Sequence, residues 1–489
     1  MVKDRRIITH RGEVSESQTA LASSPASRRL FASSILWLLI FAVLFTLFMT
    51  ASDKRSPRYI LPVFPALTII AAWGWLALAG GGAHFTPHAS RLTPHASRSL
   101  ALTAVLLVAA VVILLPYAPY YFTFYNPLLG GPFTAPRFVK IGWGEGLDQV
   151  GRFLQREDAT RPSRVGTAYA STVAPYFEGD LSKVTESNLD YVVLYLKQIQ
   201  SGEPAPEFIR YFEQTGPIFS VELNGLHYAD VYPGPALQLL PPSTGSGQAA
   251  DPQPIAFRPL TSYGQIGQPL EIDVVWPAGE ALPVAPVVVS LAASGEQSSQ
   301  IPALAQAEGQ LTALAPDLLV SHHRLSLPAD LARGPYSLWV EGQLLGEIEL
   351  RNFQIPAELN QVQDVVFGQQ IALTGYQFEP TADYLGVTVA WQGQTVERPD
   401  YTVFVQILAA DTGERVAGVD TPPLKGEWPT SRWVKDEVVT DEYLVAIPPG
   451  FPPGHYLVIV GLYQPETGQR LTLADGQDYW LLPWTFIRK

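Results

Sequence analysis

Hydrophobic positions along this chain fall into three successive regimes. From 30 to 121 they gather into long unbroken runs separated by short polar segments. Apolar stretches at 30–51, 59–80 and 100–121 each match the roughly 20 residues that a helix needs to cross a bilayer. From 138 to 233 the pattern turns mixed. Leu147, Val150, Phe153 and Leu154 are spaced as one helix face, 164–169 and 191–195 read as short buried strands, 206–212 as a helix and 226–232 as a closing strand. After a Pro/Gly/Ser-rich stretch, apolar and polar residues alternate between Pro/Gly turns with little helical spacing.

The expected fold class is therefore three transmembrane helices followed by a small α/β domain and two all-β, immunoglobulin-like sandwiches. The expected layout is a disordered cytoplasmic tail at 1–29, helices at 30–51, 59–80 and 100–121 within 30–122, and an extracytoplasmic α/β domain at 138–233. A linker at 234–256 and sandwiches at 257–352 and 360–489 complete it. The two sandwiches read as related copies. Leu270 to Trp276 matches Leu385 to Trp391, and the segment ending in Gly334-Pro-Tyr336 matches the one ending in Gly454-His-Tyr456. A cleaved signal peptide fits the first apolar run poorly, because about 30 polar residues precede it and two more runs follow.

Charge sharpens this layout. Residues 1–100 carry a net +7 and the remainder −20, which gives −13 for the chain. An acidic bulk argues against nucleic acid as a partner and leaves the lipid membrane as the partner of the basic start. Arg28, Arg29, Arg91 and Arg98 lie on the side of the N-terminus, against Lys54, Arg55 and Arg58 on the other. The positive-inside rule then puts the N-terminus in the cytoplasm and the C-terminal domains outside, and the expected location is as an integral protein of a bacterial plasma membrane. The chain has no cysteine, so disulfides and thiolate metal sites are excluded. A hexapeptide at 86–91 recurs at 93–98 and carries His88 and His95, which read as loop residues more readily than as metal ligands.

Candidate chemistry concentrates in the turn between the first two apolar runs. Ser52 to Arg58 holds three cations in seven residues, followed by Tyr59 and a proline-bent helix start. Cations held outside against the positive-inside bias suit an anionic ligand such as a phosphate; snorkelling to lipid headgroups is the other reading. Glu145 and Asp148, beside Gly142-Trp-Gly-Glu-Gly146, suit a helix start as well as they suit catalysis. Trp428, Trp433, Tyr443, Tyr463, Tyr479, Trp480 and Trp484 are glycan platforms or core, and Asp420, Asp436 and Asp441 lack the ligand density of a Ca²⁺ loop. No nucleophile elbow, P-loop or zinc helix occurs, and no cofactor is expected.

The stretch from Lys54 through Arg58-Tyr-Ile-Leu-Pro-Val-Phe-Pro65 resembles the late-transmembrane signature of family 39 GT-C membrane glycosyltransferases, which include protein mannosyltransferases and aminoarabinose transferases. Tyr125-Asn-Pro-Leu-Leu-Gly-Gly131 and Gly142 to Asp148 are similar to the segment after the last helix in bacterial members. The resemblance covers roughly 35–235. It implies transfer of a sugar from a polyprenyl-phosphate donor to an extracytoplasmic acceptor, with Lys54, Arg55, Arg58 and Tyr59 at the donor phosphate and Glu145 as a secondary candidate. Members of the family carry about a dozen helices and a catalytic acid in the first external loop, where this chain offers only Asp53. The resemblance therefore implies a C-terminal part, inactive alone, whose partner is a second chain carrying the N-terminal helices. The catalytic residue is unknown. A non-catalytic membrane-anchored surface protein, with glycan-binding or envelope-packing sandwiches, is the alternative.

Overall fold

The computed structural model describes residues 25–51, 62–78, 94–157, 163–241, 252–279, 282–283, 285–295, 303–381, 383–396, 398–447 and 454–488. The chain divides into two units, Met1–Pro119 and Tyr120–Lys489.

The first unit is helical: α1 (Pro25–Ala51), α2 (Val63–Leu78) and α3 (Pro94–Leu114). One stretch, Leu100–Tyr117, is long and apolar enough to cross a membrane, and Ser33–Met49 and Val63–Trp75 are shorter apolar helices. α1 packs against α2. Ala42, Val63 and Ala66 are buried while the large apolar side chains face outward. Small residues at a contact let two helix backbones approach closely. Thr46 donates to the Ala42 carbonyl at 2.7 Å and Thr68 to that of Pro65 at 2.9 Å, so both hydroxyls are satisfied within their own helices.

The second unit begins with α4 (Gly131–Phe138) and a five-stranded mixed sheet. Its strands are β1 (Arg164–Gly166), β2 (Asp180–Ser182), β3 (Tyr191–Tyr195), β4 (Phe219–Leu223) and β5 (Leu226–Pro233), in the order β2-β1-β3-β5-β4. β2, β1 and β3 run parallel, and β5 runs antiparallel to β3 and β4. α5 (Leu147–Glu157) buries Leu147, Val150 and Leu154 on this sheet, as its spacing predicts. α6 (Ala170–Val173), α7 (Leu196–Ser201) and α8 (Pro206–Thr215) complete the layer. Strand β4 escaped the sequence reading, although Asn224 and Gly225 join it to β5 in a two-residue turn with φ of 51° and 80°. Asn-Gly is the pair that tolerates positive φ at both central positions.

The stretch 234–256, expected to be a linker, contributes structure. β6 (Gln238–Leu239) pairs with β7 (Ala256–Pro259) at the edge of the first sandwich. That sandwich continues with β8 (Gly264–Gln265), β9 (Pro269–Pro277), β10 (Val287–Ala293), β11 (Ala305–Gly309), β12 (Leu311–Ala315), β13 (Leu318–Ser326), β14 (Gly334–Val340) and β15 (Gln343–Arg351). The second holds β16 (Asn360–Gln361), β17 (Val366–Phe367), β18 (Ile371–Pro380), β19 (Tyr384–Gly393), β20 (Thr402–Ala409), β21 (Arg415–Thr421), β22 (Val438–Ala446), β23 (Gly454–Tyr463) and β24 (Trp480–Arg488).

The repeat seen in sequence is a repeat of topology. β7-β9-β13 faces β11-β10-β14-β15, and β18-β19-β22 faces β21-β20-β23-β24, with every corresponding pair antiparallel. Trp276 on β9 and Trp391 on β19 are both fully buried. Tyr336, two residues after Gly334, donates its hydroxyl to the Ala332 carbonyl at 2.9 Å, the tyrosine corner of immunoglobulin-like sandwiches.

Two joints make the domains continuous. Val275 and Leu318, on the outer face of the first sandwich, share a core cluster with Val192, Phe208, Tyr211 and Phe212 of the α/β layer. Arg258 on β7 is buried there. Its Nε donates to Pro235 O at 2.7 Å and its Nη2 to Pro233 O at 2.7 Å, and its guanidinium lies over Tyr211 and Phe212 at 5.5 and 5.1 Å. At the other end Arg351 crosses to the second sandwich. Its Nη1 donates to Glu437 Oε2 at 2.6 Å and to Arg432 O at 2.8 Å, and its guanidinium lies between the Tyr263 and Trp428 rings. Glu437 is 0 % exposed and also accepts from Trp428 Nε1 and Val434 N, each at 2.9 Å.

Removing one partner of a buried pair strands the other. Glu437→Ala is expected to cost about 3–5 kcal/mol in chemical denaturation, and Arg351→Met/Glu437→Leu much less. An equal or larger loss in the double variant would show that packing, not the stranded charge, sets the cost. A second prediction concerns His323, which is fully buried: Nδ1 donates to Ala307 O at 3.1 Å and Nε2 accepts from Ser321 Oγ at 2.9 Å, a neutral tautomer. Burial pushes its pKa down. The unfolded chain therefore takes up the proton first, and the contribution present above about pH 6.5 is lost as pH falls through the lowered value. Denaturation midpoints between about pH 5 and 8 should fall less steeply in His323→Gln, and identical slopes would contradict the assignment.

Candidate functional site

Lys54, Arg55, Arg58 and Tyr59, like Asp53, lie outside the described residues, as does His88; of His95 only the backbone is described. The remaining candidate, Glu145, sits in a loop whose geometry is specified almost atom by atom. Gly142, Gly144 and Gly146 have φ of 115°, 111° and 82°. A Cβ at Gly142 would fall 2.3 Å from Tyr195 Cε1, one at Gly144 2.7 Å from Thr172 Cγ2, and one at Gly146 2.6 Å from Val221 Cγ1. Alternate glycines thus serve both the left-handed backbone and the close approach of the loop to the sheet.

Tyr195, the last residue of β3, is the post around which this loop turns. Its hydroxyl accepts from Gly144 N at 3.1 Å and donates to Glu145 Oε2 at 3.0 Å, and the same carboxylate oxygen accepts from Trp143 N at 2.7 Å. Burial, and secondarily the Glu145 charge, push the Tyr195 phenol well above its usual range. It therefore stays protonated as a donor. Tyr169 and Tyr228 pack beside it at 4.7 and 6.2 Å between ring centroids. Glu145 is thus occupied on one oxygen as a loop staple.

Asp148 is equally occupied. It accepts from the Tyr120 hydroxyl at 2.6 Å and pairs with Arg152 at 2.9 Å in the first turn of α5. The segment that leads to the loop is held by α7. Gln200 accepts from Ile141 N at 2.7 Å and donates to Pro136 O and Val139 O at 2.9 and 3.1 Å, while Lys197 Nζ stands 5.2 Å over the Trp143 ring. Thr123 receives Asn224 Nδ2 at 2.5 Å. Tyr195 and Gln200 escaped the sequence reading, since nothing in a strand-end tyrosine or a helical glutamine marks a partner 50 or more residues away.

In the second sandwich Trp428, Trp433 and Tyr443 are buried, which removes them as glycan platforms. Tyr463, Tyr479 and Trp480 are half-buried, and the side chain of Trp484 is outside the description. Asp441 accepts from Leu424 N at 2.8 Å and Asp420 pairs with Arg415. Among the described residues no group of three or more His, Asp or Glu could hold a metal. A shallow groove on α5, lined by Gln149, Arg152, Gln155, Arg156, Tyr176 and Phe219, carries two cations; Arg152 is engaged by Asp148 and by the Tyr176 ring at 4.9 Å.

No family model matches the chain, and no match is found among curated proteins. Solved structures similar to parts of it include a DUF3823 family protein from Bacteroides ovatus, at 14% identity and a TM-score of 0.16, covering 40% of this chain and 86% of that one. A Salmonella alpha-2-macroglobulin matches at 12% and 0.17, over 52% of this chain and 16% of its own length. The DIP-gamma IG1+IG2 pair matches at 11% and 0.15, over 40% and 83%.

The loop yields a direct test. Gly142→Ala must place a Cβ inside the Tyr195 ring at a left-handed φ and is expected to cost about 2–4 kcal/mol in urea unfolding. Trp143→Ala, at an exposed neighbour, should stay within about 0.5 kcal/mol. Comparable values for both would show that the loop relaxes around its glycines.

Proposed function

We propose that this chain is part of a family 39-like membrane glycosyltransferase, which transfers a sugar from a polyprenyl-phosphate donor to an extracytoplasmic acceptor. The observation that carries this reading is the pairing, in one chain, of the Lys54-to-Pro65 motif between apolar helices with the Gly142-to-Asp148 loop. Apolar helices with outward-facing large side chains, one of them long enough to cross a bilayer, support membrane anchoring, and Arg28, Arg29, Arg91 and Arg98 support a cytoplasmic N-terminus.

In this reading the acceptor hydroxyl attacks the anomeric carbon, the bond from that carbon to the phosphate oxygen breaks, and polyprenyl phosphate leaves. Lys54, Arg55 and Arg58, with Tyr59 beside them, offset the charge that grows on the leaving phosphate. The acceptor proton goes to a carboxylate. Glu145 and Asp148 are already engaged by Tyr195 and by Tyr120 and Arg152, which supports a structural part for both.

A second reading, a non-catalytic membrane-anchored surface protein with envelope-packing sandwiches, draws on the same observation about Glu145 and Asp148. Binding of a polyprenyl-phosphate sugar by the detergent-solubilised full chain separates the two. The glycosyltransferase reading expects saturable binding that drops at least about tenfold in Lys54→Ala/Arg55→Ala/Arg58→Ala, as charge-assisted phosphate contacts require. Absence of binding by the wild-type chain, or equal binding by the triple variant, would leave the anchored surface protein.

A further inference from the structure

Between Phe122 and Trp143 the Tyr120–Lys489 unit exposes apolar surface on a scale found nowhere else among its described residues. Phe122, Leu128, Leu129, Phe133, Phe138 and Trp143 are between 74 and 92 % exposed. Among the other described residues from 144 onward, no large apolar side chain exceeds 51 %. Scattered exposed leucines need no explanation, but six such residues in one short segment do.

The segment is built. Asn126 caps the turn Pro127–Leu129 by accepting from Leu128 N at 3.0 Å, and Gly130 passes to α4 with φ of 92°. The Thr123 contact to Asn224 and the Gln200 contacts to Pro136, Val139 and Ile141 fasten its backbone to the α/β layer. α4 turns Ala135 toward the core and presents Phe133 and Arg137, four residues apart, to the outside.

We propose that this crest lies in the headgroup and upper acyl region of the bilayer, as a membrane-interface foot of the α/β domain. Three observations select lipid over a protein partner. Phe122 follows the end of the apolar stretch Leu100–Tyr117 by five residues, so the crest is tethered at the membrane. Aromatic and aliphatic side chains are interleaved with Arg137 and Lys140, the mixture favoured at that depth. No Asp or Glu occurs from 120 to 144 in a chain of net charge −13, which matches an anionic surface. The inference rests on the membrane anchoring proposed above.

The native chain has no cysteine, so single labels are unambiguous. Leu128→Cys, Phe133→Cys and Phe138→Cys, each in the full chain, would carry a nitroxide in vesicles of phosphatidylcholine and phosphatidylglycerol. Val108→Cys in α3 reports the anchor, and Glu466→Cys in an exposed turn reports water. Insertion predicts a ratio of oxygen to nickel-complex accessibility about tenfold higher at 128, 133 and 138 than at 466. Crest labels as open to the nickel complex as the one at 466, with the label at 108 in lipid, would overturn the foot and leave the anchor standing. A label at 108 exposed to water would overturn both. Crest labels shielded from both reagents would overturn the lipid assignment in favour of a protein cover, a second copy if spin–spin broadening appears.

Discussion

Burial of two guanidinium groups at domain joints is the constraint on which the Tyr120–Lys489 unit turns. A cation taken out of water must find most of its hydrogen bonds again, and the partners must come from both sides of the joint. Arg258 meets this with the carbonyls of Pro233 and Pro235 and with the faces of Tyr211 and Phe212. Arg351 meets it with Glu437, the Arg432 carbonyl and two aromatic rings. Because those partners are backbone carbonyls, packed rings and the buried Glu437 carboxylate, each joint has one good geometry. The shared core of Val275, Leu318, Phe208 and Tyr211 then closes around it.

The two joints fuse the α/β layer and both sandwiches within the Tyr120–Lys489 unit. Within it the acidic groups of the α/β loop are engaged in holding structure: Glu145 staples the glycine loop to Tyr195, and Asp148 ties α5 to Tyr120.

The sequence displayed the periodic parts of this structure and hid the joints. Leu147, Val150 and Leu154 were legible because a helix face repeats on a fixed spacing, and the paired tryptophans Trp276 and Trp391 because the sandwich is duplicated. The tyrosine after Gly334 was legible as a repeat, though its reason, a corner hydrogen bond to Ala332, needed coordinates. Strand β6 was hidden because two residues carry no period, and a Pro/Gly/Ser-rich stretch reads as linker whether or not its ends pair. Arg258 and Arg351 passed unremarked, since nothing local marks a guanidinium whose acceptors lie 23 and 86 residues away. The glycines of the loop at 142–146 stood out, but their purpose, room for Tyr195, Thr172 and Val221, is a property of the folded sheet alone.

Coupling through Arg258 is measured most directly by native-state hydrogen exchange on the amides of Val192 and Leu194 in β3 and of Ile272 and Val274 in β9. If the α/β layer and first sandwich are one cooperative body, the two sets open with the same free energy, and Arg258→Ala lowers both together. Exchange from β3 at lower free energy than from β9 in the wild-type chain, unchanged by the substitution, would mean that the domains are separate and the joint is only a contact.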